Sequence, residues 1–307
     1  MIRKMKKAQI ILLGLVLAFS TAVAQNKTEV QLKQYEATLK KIDAQVINGE
    51  SDVERRNSTY TFIKTLVQAL KLPGSYNYPF DSLKTISIVK DPLNKFRIFS
   101  WAFAEEDGTS RFYGAIQMNN PQKLELFPLK DYSPAIKNIR DTITTNEYWV
   151  GAQYYEIIPP VKPTDPYLLL GWKANDPKTS MRIIEPITFE NDKVKMGAPV
   201  FKLEKGKIAN RMVFEYGRSL SMMLKYLPSK KWIVFDHLIP SQPAKEGFYE
   251  FYGPDLSYDG LKYENGSWVF MSNLNLTNDP SISDELFNDP KKLALPQNQP
   301  AKKDKKY

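Results

Sequence analysis

Apolar positions between residues 28 and 72 recur with the period of a helix. Tyr35, Leu39, Ile42 and Val46 step by four, three and four, which places them on one helical face. Asn48-Gly49 ends that run. Ser51 followed by Glu54 has the form of a capping box, in which the hydroxyl bonds forward and the carboxylate bonds back to otherwise unpaired N–H groups. Tyr60, Ile63, Val67 and Leu70 make a second apolar stripe, and Pro73-Gly74 stops it. The pattern predicts two helices joined by a short turn. Their stripes must bury somewhere, either over a sheet or, in the alternative reading, against a docking partner.

From residue 85 the texture changes to strands. Runs at 85–90, 95–104 and 110–118 are rich in Ile, Phe, Tyr and Trp, with Glu106-Asp107-Gly108 as a turn. A short strand at 124–129 follows, whereas the polar stretch 131–146 predicts no element. After 147–158, "EYWVGAQYYEII", the segment "PPVKPTDP" at 159–166 reads as a stiff connector between two halves of a sheet system. Further strands are predicted at 167–172, 181–190, 193–202, 211–216, 220–226, 231–236 and 247–252. Asn191-Asp192 marks one hairpin, and Asn265-Gly266 joins strands at 261–264 and 267–271 in another. The fold class expected is α+β and mainly β: an N-terminal helix pair, then a large antiparallel domain. No fixed repeat is present, so a sandwich or barrel is favoured over a propeller.

The ends of the chain differ from its body. Arg3, Lys4, Lys6 and Lys7 precede an apolar run from Ile10 to Phe19, and Ala22-Val23-Ala24 precedes Gln25. Charged, apolar and small residues in that order form a secretory leader cleaved between Ala24 and Gln25. The apolar run is half of what spanning requires. The expected layout is a leader at 1–24, a helical segment at 25–72, a β domain at 73–288 and a disordered, Lys-rich tail at 289–307. The net charge of +9 sits in the leader and tail, so the body is near neutral. A nucleic-acid binder carries its basic charge on a folded face, and that class is excluded. The chain has no Cys, which removes thiol nucleophiles and thiolate metal sites. Export without disulfides suits a periplasm or bacterial surface.

Nine segments occur in order: "YPFDSL", "FRIFSWAF", "DGTSRFYGAIQ", "YYEIIP", "YLLLGW", "MGAPVF", "VFEY", "IVFDHLIP" and "FYGPDLSYDG". Over Tyr78 to Asn273 this set resembles an uncharacterised family of exported proteins of Gram-negative bacteria. The resemblance implies a shared fold and an envelope or extracellular home. It carries no established activity and no catalytic residues.

The chemistry left open is narrow. His237 is the one histidine, so a site with two His ligands is impossible, and no G-x-S-x-G elbow accompanies it. A structural role at a strand end is expected for it. There is no phosphate-binding loop or dinucleotide fingerprint, so no organic cofactor is expected. Glu156, Glu185, Glu215, Asp236 and Glu250 stand at predicted strand ends, and glycosidases need two such acids facing each other. The stretch "GPDLSYDG" places Asp255, Ser257, Asp259 and Gly260 in the spacing of half a calcium loop. The bidentate Glu of that loop would fall at Gly266, so further ligands would have to come from Asp279 and Asp284. The alternative is a turn in which Asp bonds local backbone. Trp101, Trp149, Trp172, Trp232 and Trp268 lie on predicted strands, as core residues or as stacking platforms for a glycan. The expectation is an exported binding or structural module, not an enzyme, with a glycan or envelope protein as its partner. A carboxylate-dependent hydrolase of polysaccharide or peptide is the alternative. Intact mass of the protein from a bacterial envelope fraction should start at Gln25; an N-terminus at Met1 would refute the leader.

Overall fold

The computed structural model describes residues 27–190 and 193–276. The leader, the tail, Asp279 and Asp284 lie outside the described residues. The first helix, α1, covers 27–48, and α2 covers Asp52–Leu70. Ser51 caps α2 by accepting from the Glu54 N–H, and Glu54 bonds back to the N–H of Glu50, one residue before the position a capping box prescribes. The face of α2 turned to the core carries Thr59, Phe62, Leu66, Ala69 and Leu70. That face is rotated from the predicted stripe: Tyr60 is half exposed, and Ile63 and Val67 are only partly covered.

Sheet I contains β1 (Ser87–Lys90), β2 (Phe96–Ala104), β3 (Ser110–Met118) and β4 (Leu126–Lys130), antiparallel and in chain order. Sheet II is built from β5 (Thr144–Thr145), β6 (Gln153–Ile158), β7 (Tyr167–Ala174), β8 (Thr179–Glu190) and β9 (Lys193–Met196), in the order β5-β9-β8-β7-β6. β10 (Phe201–Lys202) and β11 (Ile208–Ala209) then cross to sheet III, and β12 (Met212–Gly217) returns to pair with β8. Sheet III is completed by β13 (Leu224–Leu227), β14 (Trp232–Pro240), β15 (Tyr252–Glu264) and β16 (Ser267–Met271), in the order β11-β10-β16-β15-β14-β13. Its β10–β16 pair is parallel.

Alternating side chains stack these elements as helices, sheet I, sheet II and sheet III. Phe99, Trp101 and Phe103 of β2 pack against Leu39, Phe62 and Leu66 of the helices. Phe96 and Ile98 of the same strand pack against sheet II with Trp149, Leu169 and Ile183. Leu168 and Leu170, flanking Leu169, turn instead toward Phe235 and Leu261 of sheet III. Sheets I and II are thus covered on both faces, which is why β2 and β7 read as nearly continuous apolar runs. The architecture is a layered sandwich. Among the described residues no helix is long and apolar enough to cross a membrane.

Several expectations are corrected. The proline-rich 159–166 segment does not join two halves of a sheet system; it links β6 to its neighbour β7. Asp165 closes that turn, accepting from the Lys162 N–H at 2.8 Å while its own N–H bonds the Lys162 carbonyl. The predicted strand at 193–202 breaks at Gly197, whose φ is +96°. The predicted strand at 247–252 is largely a 3₁₀ turn at Tyr249–Phe251. The unassigned stretch 131–146 holds a short turn at Ser133–Ala135 and β5.

One ion pair lies at the centre of sheet II. Glu185 on β8 and Arg211, just before β12, are both fully buried, with Nη2 and Oε1 2.6 Å apart. Arg211 also donates to the carbonyls of Ile139 and Thr142. Removing one partner of such a pair strands a charge in the core, whereas removing both need not. Arg211→Met should lose about 3–5 kcal/mol of unfolding free energy in urea titration. Adding Glu185→Met should recover part of that loss; a single variant as stable as the parent would refute this role.

Candidate functional site

An opening onto the interior of the sandwich lies between sheet II and the β13 edge of sheet III. It is a cleft of about 740 Å³, lined by Gln153, Tyr155, Glu156, Trp172, Arg182 and Lys225 among others. Sheet register builds its floor. Gln153 pairs with Trp172, and Trp172 pairs with Arg182, so three polar or amphipathic side chains form one row across β6, β7 and β8.

A bulge completes the site. Tyr154 pairs with Gly171 and Glu156 pairs with Leu170, which leaves Tyr155 as an extra residue on β6. Consequently Tyr154 and Ile157, three apart, enter the same core layer, which an unbroken strand does not permit. The bulge brings Tyr155 and Glu156 to the cleft together. Bulges commonly re-aim side chains in this way beside functional sites. Gly171 is needed opposite: a Cβ there would meet the Tyr154 ring at 2.9 Å.

The wall is held by polar bonds to the segment around β13. The Tyr155 hydroxyl donates to the Leu224 carbonyl at 2.9 Å, and Arg182 Nε donates to the Met222 carbonyl at 2.9 Å. The Arg182 guanidinium also lies 5.1 Å from the centre of the Tyr155 ring, a cation–π contact. Glu156 accepts the Tyr226 N–H. Burial nevertheless raises its carboxyl to about 7, against the lowering effects of that bond and of Lys225. Glu156 is therefore poised between its neutral and ionised forms near neutral pH.

The other four candidate carboxylates are dispersed. Glu185, expected at a strand end, is inside β8 and bound to Arg211. Glu215 accepts from Asn175 Nδ2 at 3.1 Å, Asp236 accepts the Met223 N–H at 2.7 Å, and Glu250 pairs with Lys178. Glu156 is the one carboxylate among the described residues that line the cleft.

The half calcium loop lies within β15, not in a turn between two strands. Asp236 pairs with Tyr258 and Leu238 with Pro254, so Asp255, Leu256 and Ser257 bulge out opposite His237. Asp255 accepts both the N–H and the hydroxyl of Ser257, at 2.9 and 2.6 Å. Asp259 accepts the Asn273 N–H, and its second oxygen is 2.7 Å from His237 Nδ1. His237 thus lies inside β14, not at a strand end, and its partner is a carboxylate on the neighbouring strand β15. Among the described residues no group of three or more His, Asp or Glu is placed to hold a metal ion. Of the five tryptophans, Trp101, Trp149 and Trp268 are buried, and half-buried Trp172 lines the cleft. Sequence reasoning missed Tyr155 and Arg182, because a bulge and a cross-strand row are set by partner strands.

Comparison with known proteins finds no matching family model, no matching curated protein and no matching solved structure.

A carboxyl raised on folding binds more protons folded than unfolded, so stability falls as pH rises from about 4.5 to about 7. Glu156→Gln removes that dependence. Relative to the parent, the variant should gain about 1–3 kcal/mol between pH 4 and pH 8. Urea unfolding at the two pH values checks this; a constant difference would contradict the raised carboxyl.

Proposed function

We propose that the protein is exported to the cell envelope or surface and works there as a carbohydrate-binding module. The leader ending at Ala24 and the resemblance to an exported family support the location. The observation that carries the binding role is the composition of the cleft: Trp172 and Tyr155 beside Gln153, Arg182, Lys225 and a single carboxylate, Glu156. Aromatic side chains offer apolar faces on which a sugar ring can stack, and the polar row offers donors and acceptors for hydroxyls. A few placed polar groups in a concave, partly aromatic site are the usual makeup of a ligand pocket.

A second reading rests on Glu156 alone. A carboxyl raised to about 7 suits a general acid at neutral pH. Glycoside hydrolysis needs a second carboxylate a few ångströms away, and the cleft supplies none among its described residues, so binding is the preferred reading.

Calorimetric titration with a panel of bacterial and plant oligosaccharides should give saturable binding. Trp172→Ala should weaken it by about tenfold or more, the loss of roughly 1.4 kcal/mol. Release of reducing ends that disappears in Glu156→Gln would favour the hydrolase. Failure of the whole panel to bind would reject the carbohydrate reading.

A further inference from the structure

One wall of the cleft is pinned by side chains instead of by a neighbouring strand. β13 is the edge of sheet III, and the cleft opens between it and β6. The backbone from Met222 to Tyr226 is held from elsewhere at successive groups. Arg182 of β8 donates to the Met222 carbonyl, and Asp236 of β14 accepts the Met223 N–H. The Tyr155 hydroxyl donates to the Leu224 carbonyl, and the Glu156 carboxyl accepts the Tyr226 N–H. The last two clamps come from consecutive residues at the bulge of β6.

These bonds fix where Glu156 stands. The bulge places its backbone and Tyr226 holds its carboxyl, so swinging out into bulk water would break a clamp. A molecule seated on Trp172 and Tyr155 shares the cleft with Glu156 and displaces water that now solvates it. Loss of water disfavours the charged form of a carboxyl. A neutral carboxyl also offers a donor to the ring and bridging oxygens of a sugar, which can only accept.

The groups that face Glu156 do not reverse this preference. Lys225, next to it on β13, and the Tyr226 N–H both favour the ionised form, and burial already outweighs the two together. The Tyr155 hydroxyl beside it shares its proton with Leu224. Arg182 of β8 lies over the Tyr155 ring and acts on Asp236 of β14. Ser87 of β1 spends its hydroxyl on the Tyr154 carbonyl. Among the described residues that line the cleft, no second carboxylate is present to take the proton instead.

We propose that the cleft takes its sugar with Glu156 protonated, so that an uncharged oligosaccharide and a proton bind together. This rests on the reading of the cleft as a carbohydrate site and adds its regulation: the site holds its ligand in mildly acidic surroundings and releases it as they turn alkaline. The sign follows from linkage. Free Glu156 changes form at about pH 7, so below that value the competent form prevails and affinity is flat. Above it only the protonated fraction binds, and that fraction falls by about tenfold for each pH unit.

Cellotetraose, maltotetraose and chitotetraose, all uncharged, serve as the probes in calorimetric titrations of the protein at pH 6 and pH 8.5. A probe that binds should lose about tenfold or more in affinity between the two values. At pH 8.5 its heat should also vary with the ionisation heat of the buffer, the mark of proton uptake. Glu156→Gln is neutral at both values and should bind equally at both, with no buffer dependence. Parent affinity that is equal at the two values, or that rises with pH, overturns the proposal; so does a pH effect that persists in Glu156→Gln. Proton uptake is read on the parent alone, so its absence is decisive even where the variant does not fold. If none of the probes binds at pH 6, the carbohydrate reading itself falls, and the coupling falls with it.

Discussion

The layered body depends on how one long strand distributes its hydrogen bonds, and the Arg211–Glu185 pair fixes that distribution. One edge of β8 is taken by β7. The other is divided, with β12 on Thr179–Ile184 and β9 on Ile187–Glu190. The exchange occurs at Glu185-Pro186, where the Pro186 carbonyl takes the Gly197 N–H. Arg211 sits at this seam. Its guanidinium reaches Glu185, the carbonyls near 139–142, Thr144 and the Met196 carbonyl, so it stands in for the ladder that neither strand completes. One oxygen of Glu185 remains without a hydrogen-bond partner. A bidentate cation is suited to such a site because its donors are rigid and plural, and a buried acid without it would be costly.

The cleft arises from a local failure of regular pairing. At the cleft, sheet II gains a residue: Tyr155 has no partner of its own, so two consecutive side chains appear where alternation allows one. The cleft is largely apolar, with aromatic and a few polar side chains. The cleft does not use the D-x-S-x-D-G spacing, whose acids are committed to Ser257, Asn273 and His237.

Much of the fold was legible. The run at 110–118 coincides with β3, and Asn265-Gly266 joins β15 to β16 as its turn chemistry demands, with positive φ at both residues. Local periodicity and turn residues are sufficient there because neighbours in sequence are also neighbours in the sheet. Legibility ended where a distant strand decides the outcome. Nothing in "QYYEII" marks Tyr155 as the extra residue, since a bulge is a count of residues relative to a partner. The predicted stripe on α2 is one residue out of phase because Phe62 and Ile63, like Leu66 and Val67, are adjacent apolar residues, and only burial against β2 separates them. The role of Arg211 had no local sign, for its carbonyl partners lie some seventy positions earlier.

The division of the β8 edge also orders events in time. Sheet II cannot close until the chain has been supplied through β12, because the Thr179–Ile184 edge waits for Met212–Gly217. Until then β7 and β8, apolar on both faces, present an open ladder to any other strand. Contacts this far apart in sequence slow folding and prolong that exposure. β12, the last strand of sheet II to arrive, thus acts as the latch that ends the exposure.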